Sequence, residues 1–293
     1  MVNRAAAKLR AQLADKDSII VCPGVQDGLS ARTGAGTAMS VLGMPDLGLT
    51  TLDDMARNAG MIASLDRDVP VIADADTGFG GPLMVARTVE KYAAAGVAAL
   101  HIEDQVAAKR CGHLLGKEMA GVPEYVARIR AAAAAREALG DDIVIIARTD
   151  ALQSLGFEAA IARLKAAVEV GADVAFLEGM TSKEQMVECV QAMAPTPCLL
   201  NMVVGGVTPL VDSEEARRMG YRVVIWPCFS MTAALLAYRE AARELKDLGM
   251  NKERRNEKGG LLGGVRECFE VCSLTKYSDF DKAMGGQAFS KGV

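Results

Sequence analysis

Asp74 and Asp76 stand two residues apart in IADADTGFGG, where a short apolar run gives way to glycines. On extended backbone, positions i and i+2 face the same side, so both carboxylates can serve one site. Glu103 ends a second apolar run and Asp46 lies in MPDLG. An all-oxygen set of this kind suits Mg2+ or Mn2+, held directly by one or two carboxylates with waters linking the rest. A lone Asp-x-Asp before TGFGG would serve equally well to cap a turn. Four acids at strand ends favour a metal.

Arg148, in IIARTD, ends another run. A buried guanidinium there demands an anion, and its fork fits a carboxylate or phosphate. An internal salt bridge with Glu178 is compatible with that role. Cys111 and His113 fall in KRCGH, at Lys109–His113. With Lys109 and Arg110 beside it, the Cys111 thiolate is expected to be favoured, making Cys111 a candidate general acid or base. His101 lies inside an apolar run and reads as a core histidine. The glycine-rich TGFGG and TGAG (Thr33–Gly36) segments offer backbone N–H groups to an anion.

The positioning elements follow from the periodicity. Seven continuously apolar runs are too short for helices and fit parallel strands buried on both faces: Ser18–Cys22, Val69–Ala73, Ala98–Ile102, Ile143–Ala147, Val174–Leu177, Cys198–Leu200 and Arg222–Trp226. Between them, Pro82–Ala95, Glu158–Val170, Lys183–Met193 and Ser230–Leu248 carry apolar residues at helical spacing. Gly96, Gly171 and Gly220 each follow a helix and precede a strand, where a left-handed residue turns the chain back.

Strand–helix alternation predicts a parallel α/β fold. Polar residues ending many strands (Asp74, Glu103, Arg148, Glu178, Asn201) converge only if the sheet closes, so a (β/α)8 barrel is favoured over an open doubly wound sheet. Glu103 and Arg148 are 45 residues apart, against 29 from Asp74 to Glu103 and 30 from Arg148 to Glu178. The surplus falls in residues 104–123, a glycine-punctuated loop that reads as a lid over the barrel mouth.

The chain has 293 residues, 51% hydrophobic and 24% charged, and is expected to form one barrel domain over 1–293. A net charge of −4 argues against nucleic acid or an anionic membrane as partner. No run of about 18 apolar residues is present, and residues 1–17 read as an amphipathic helix rather than a secretory signal. Seven scattered cysteines without a Cys-x-x-Cys pair argue against disulfides or structural zinc, and for a reducing, intracellular compartment. A cytoplasmic setting is expected, with a mitochondrial or peroxisomal one as alternatives.

In order along the chain, PGVQDGLSAR, TGAG, GMPDLG, DADTGFGG, HIEDQ, KRCGH, IARTDA, FLEGMTS and NMVVGG-TP resemble the isocitrate lyase / phosphoenolpyruvate mutase superfamily, and within it the fungal-type 2,3-dimethylmalate lyases, oxaloacetate hydrolases and methylisocitrate lyases. The resemblance covers nearly the whole chain. It implies a Mg2+- or Mn2+-dependent barrel that assembles as a homotetramer, with C-terminal helices from residues 230–293 swapped between subunits. It further implies that Asp74 ligates the metal, that Asp46, Asp76 and Glu103 hold its waters, and that Thr33, Gly34, Ala35, Gly112, Arg148 and Asn201 grip a small carboxylate substrate. Glu178 and His113 would act beside it, and Cys111 would protonate the carbanion.

Two departures stand out. Val204 occupies a position where the family usually has Glu. Arg32 joins Thr33 directly, where relatives carry roughly fifteen more residues, about half of one strand–helix unit. The expected activity is cleavage of a 2-hydroxy di- or tricarboxylate, such as 2,3-dimethylmalate, to a 2-oxo acid and a carboxylate. Hydrolysis of oxaloacetate to oxalate and acetate is the alternative. A catalytically weak homologue retained as an oligomer subunit is a third reading.

Overall fold

The seven apolar runs form seven parallel strands in one curled sheet. The computed structural model describes residues 3–25, 27–33 and 38–289, without the side chains at 32, 33, 38 and 40. The chain opens with α1 (Arg4–Ala14), β1 (Ile20–Pro23), α2 (Gly28–Thr33), a π-helical turn (Ala38–Leu42) and α3 (Leu52–Leu65). Strand and helix then alternate through β2 (Ile72–Asp74), α4 (Pro82–Ala95), β3 (Ala99–Glu103), α5 (Val122–Leu139) and β4 (Val144–Thr149). A short α6 (Leu152–Leu155) precedes α7 (Phe157–Glu169), β5 (Val174–Leu177), α8 (Lys183–Met193), β6 (Cys198–Asn201), α9 (Ser213–Met219) and β7 (Val223–Trp226). Beyond these lie α10 (Phe229–Leu248), a small hairpin of β8 (Arg254–Arg255) and β9 (Leu261–Leu262), α11 (Val265–Val271) and α12 (Leu274–Ala283).

β2 begins later than its apolar run because Pro70 has no N–H to give a ladder. Gly96 and Gly220 end α4 and α9 in the left-handed conformation, at φ 84° and 101°.

The strand order β1-β7-β6-β5-β4-β3-β2 is that of a barrel with one strand missing. Among the described residues, β1 pairs only with β7 and β2 only with β3, so a seam runs between β1 and β2. The Arg32–Thr33 junction lies in the stretch between those two strands, where no described residue forms a strand. At the start of β1, the Ile20 N–H donates to the Arg222 carbonyl, and just past its end the Gly24 N–H donates to that of Trp226. By alternation Val21 and Pro23 face the seam, and Pro23 has no N–H to leave unpaired there.

Alternation also divides the core into two layers. Outward-facing Leu100, Ile102, Ile145, Leu177, Leu200 and Val224 pack under the helices. Inward-facing Val144, Ile146, Val174, Phe176, Leu199 and Val223 fill the interior with Ala5, Ala6 and Leu9 of α1. That helix closes the N-terminal mouth, where Arg10 donates to both Asp173 oxygens at 3.0 and 3.2 Å. The site is left to the opposite, C-terminal mouth.

Candidate active site

Strand register assembles the polar residues. Asp74 on β2 lies beside His101 on β3, and Glu103 on β3 beside Arg148 on β4. Asp76 follows β2 at φ 45°, a left-handed position, and its N–H donates to Asp74 Oδ1 at 2.8 Å. Thr50 Oγ1 donates to Asp76 Oδ2 at 2.9 Å.

The acids converge on Lys109. Its Nζ lies 2.8 Å from Asp46 Oδ1, 2.6 Å from Asp76 Oδ1 and 3.7 Å from Glu103 Oε1. Sequence reasoning treated Lys109 only as a neighbour of Cys111; that a buried lysine follows acidic strand ends was the available signal. Burial alone would raise the Asp74 carboxyl, but His101, Lys109 and Arg148 bring it down to about 2. Asp76 moves up, through burial and the charge of Asp74. Burial also pushes Glu103 up, against the pull of Arg148 and Lys109. The neighbouring carboxylates are thus driven apart in acidity.

Among the described residues, no three His, Cys, Asp or Glu side chains form a ready metal cage. The donor set still fits a hard cation of the Mg2+ kind. Every donor is a carboxylate oxygen, three of them already surround a positive charge, and Glu103 Oε2 is buried without a hydrogen bond. Mg2+ usually keeps several waters and takes only one or two carboxylates directly.

His101 is not a satisfied core residue. Its Nδ1 is buried without a hydrogen bond, 3.4 Å from Asp74 Oδ1, and the ring meets Phe176 edge-on. Burial lowers its pKa, so the neutral ring is favoured.

Arg148 is held on several sides. Its Nε and Nη2 donate to Asp150 at 3.0 and 3.1 Å, Nε lies 3.3 Å from Glu103 Oε2, and Nη2 lies 3.5 Å from Glu178 Oε2. The expected pair with Glu178 is present, but Asp150, absent from the sequence-derived candidates, is the hydrogen-bonded partner. Asn201 Nδ2 donates to Glu178 Oε2 at 2.9 Å, while Asn201 Oδ1 is buried without a partner. His113 Nε2 lies 3.9 Å from Glu178 Oε1, and neither of its ring nitrogens has a hydrogen bond.

Residues 104–121 cross this mouth. The Cys111 N–H donates to the Asp46 carbonyl at 3.1 Å, and Lys117 Nζ donates to the Gly112 carbonyl. A Cβ on Gly112 would stand 2.6 Å from Arg148 Nη2, 2.6 Å from Glu178 Cγ and 2.7 Å from Asp150 Oδ1. Only glycine lets the backbone lie this close.

The Cys111 thiol departs from expectation. Its anion is not favoured: burial raises its pKa above the ordinary 9.0, with the His113 N–H and the Arg148 charge opposing. Lys109 turns inward to the acids, and Arg110 Nη1 donates to the Leu115 carbonyl, so neither adjacent cation serves the sulfur. Thr33 ends α2, but its side chain, Gly34 and Ala35 lie outside the described residues. Val204, after β6, is exposed. A cavity of about 570 Å3 opens beside Asp76 and Lys109, lined also by Thr50, Phe79 and Arg87.

Comparison with known proteins places the chain in a family. Residues 12–246 match the family model described as phosphoenolpyruvate phosphomutase. The 2,3-dimethylmalate lyase of Eubacterium barkeri is 40% identical over 254 residues, covering 83% of this chain and 86% of the relative. The chain belongs to the PEP mutase/isocitrate lyase superfamily. Within that superfamily, a crystal structure of 2,3-dimethylmalate lyase matches at TM-score 0.93 and 50% identity, covering 99% of this chain and 98% of the other. A structure of oxaloacetate acetylhydrolase with the inhibitor 3,3-difluorooxalacetate matches at 0.92 and 49%, covering 98% and 99%. The match to 2,3-dimethylmalate lyase thus holds despite the β1–β2 seam.

Proposed function

We propose that the protein is a Mg2+-dependent carbon–carbon lyase of this superfamily, cleaving a small 2-hydroxy dicarboxylate such as 2,3-dimethylmalate to pyruvate and a carboxylate. The observation that carries this reading is the seating of the Cys111 loop: a Cβ on its Gly112 would meet Arg148, Glu178 and Asp150 at the mouth where the acids gather, and burial favours the proton-bearing form of the Cys111 thiol. When bound among Asp46, Asp74, Asp76 and Glu103, a divalent ion supplies Lewis-acid stabilisation of developing oxygen charge.

The chain's own groups supply the rest. Arg148, with Asn201 and the Gly112 backbone, binds a substrate carboxylate. Glu178 orients Arg148 and Asn201 and gives His113 its acidic neighbour. A carboxylate of the acid cluster takes the C2 hydroxyl proton; as C2–C3 breaks, the C2 oxygen becomes a ketone and the released electron pair stays on C3, which takes the thiol proton of Cys111. The 104–123 lid keeps water from that carbanion.

Two other readings have specific support. The similarity to oxaloacetate acetylhydrolase supports oxaloacetate hydrolysis as the alternative. The β1–β2 seam supports a weakened homologue retained in an assembly. A cytoplasmic homotetramer with swapped C-terminal helices completes the proposal.

The test follows pyruvate from 2,3-dimethylmalate and oxalate from oxaloacetate, with Mg2+ and after chelation. Pyruvate formation abolished by EDTA is expected. Oxalate alone would identify the hydrolase, and neither product, with a broad unfolding transition, would identify the weakened homologue.

A further inference from the structure

Behind the 104–121 segment lies a buried charge network whose centre, Arg163 with Asp104, stands one residue removed from the proposed substrate-facing groups. Arg163 of α7 is 5% exposed. Its Nε donates to Asp104 Oδ2 at 2.6 Å, and its Nη2 donates to the Ala120 carbonyl. Those two acceptors are the two ends of the segment, and they are also tied to each other: the Ala120 N–H donates to the Asp104 carbonyl at 2.8 Å. Just inside them, the Val106 N–H donates to the Glu118 carbonyl at 3.0 Å, and Gln105 bridges Met119. One guanidinium therefore clamps both stems of the loop that carries Cys111.

The same aspartate reaches the substrate arginine. Asp104 is fully buried, and it accepts from Thr149 Oγ1 at 2.5 Å and from the Asp150 N–H at 2.9 Å. The Asp150 carboxylate in turn takes both bonds from Arg148. Arg163 also lies over the Tyr125 ring at 5.9 Å, and Tyr125 Oη donates to the Arg148 carbonyl at 2.8 Å.

We propose that Arg163 is a positioning residue that registers the lid against Arg148, with the Asp104 carboxylate as the shared joint. The fork geometry is essential to this role. Lysine offers one compact ammonium, which can retain the charge opposite Asp104 but cannot span to the Ala120 carbonyl as well. Retained charge keeps Asp104 paired while the second stem is released. Lid register is thereby separated from burial of an unpaired charge.

The kinetic arm rests on the lyase reading, whereas the exchange arm does not. In Arg163→Lys, amide hydrogen exchange over residues 105–119 is expected to quicken about tenfold or more, and kcat to fall by a similar factor with KM little changed. Arg136→Lys is the control: it loosens the contact of Arg136 with Asp173 at the other end of the barrel, and is expected to lower the unfolding midpoint without either effect. If Arg163→Lys does not fold, Asp104→Asn reads the same link from its other end. A folded Arg163→Lys with wild-type lid exchange overturns the proposal. So does a change that Arg136→Lys reproduces at equal loss of stability. A wild-type protein that turns over neither substrate, yet whose lid loosens in Arg163→Lys, removes the lyase reading and leaves the clamp standing.

Discussion

At the scale of single residues, Cys111 owes its role to where its charged neighbours go. The adjacent Lys109 and Arg110 predicted a thiolate, yet one cation is consumed by Asp46 and Asp76 and the other leans on a backbone carbonyl. What remains is a partly buried thiol raised above 9.0. Such a group holds its proton through neutral pH and loses it only in alkali. An acid of this kind contributes about 10²–10⁴-fold, so Cys111→Ser should lose turnover on that scale while its unfolding midpoint stays near wild type. The sign of the pH dependence follows directly. Wild-type kcat/KM should decline only as pH rises past 9, because deprotonation removes the donor. Cys111→Ser should lack that alkaline limb, and a variant that keeps both rate and limb would remove the thiol from the chemistry.

At the scale of elements, the strands and helices were legible because local period carries them. The helices Pro82–Ala95 and Lys183–Met193 begin and end where the apolar spacing and the flanking residues put them. β2 was read too long because an apolar Val69 counted for more than Pro70, although Val69 proves exposed. The lid's position was legible from the 45-residue interval, and its contacts were not. Asp150 as the holder of Arg148, Lys109 among the acids and Arg163 across both stems depend on which distant charges the fold brings together, and no local pattern encodes that. Gly112 shows how tight the seating is. Its Cβ would stand within 2.7 Å of three site side chains, and overpacking of this kind costs about 1–3 kcal/mol. On the proposed lid role of this loop, Gly112→Ala should spend that cost on lid opening rather than on unfolding the barrel. The expected result is a strong loss of turnover, faster exchange over 105–119 and an unfolding midpoint near wild type. Loss of global stability with a normally seated lid would contradict it.

At the scale of the whole molecule, the seam and the C-terminal arm raise one question about partners. A closed barrel has no sheet edges; among the described residues this one has two, at β1 and β2. The arm formed by α10, the β8–β9 hairpin, α11 and α12 exposes more than half of Leu236, Tyr238, Val265, Phe269 and Phe280. None of the α10 residues is buried. Apolar surface gains about 25 cal/mol per Å2 when covered, and a long amphipathic arm without a covered face marks an interaction surface. A second copy of the chain offering the same arm in exchange satisfies both arms at once, which is the economy of swapping. Pairing two such exchanged dimers gives the homotetramer proposed above, so the protein should run as a species of about four times the 30.9 kDa chain mass in light scattering. Phe269→Asp, by placing a charge on the face to be covered, should shift it to smaller species, while the fully buried strands β3 to β6 keep their slow amide exchange. A wild-type monomer with a folded, slowly exchanging arm would refute the swap, because the exposed face would then be stable in water alone.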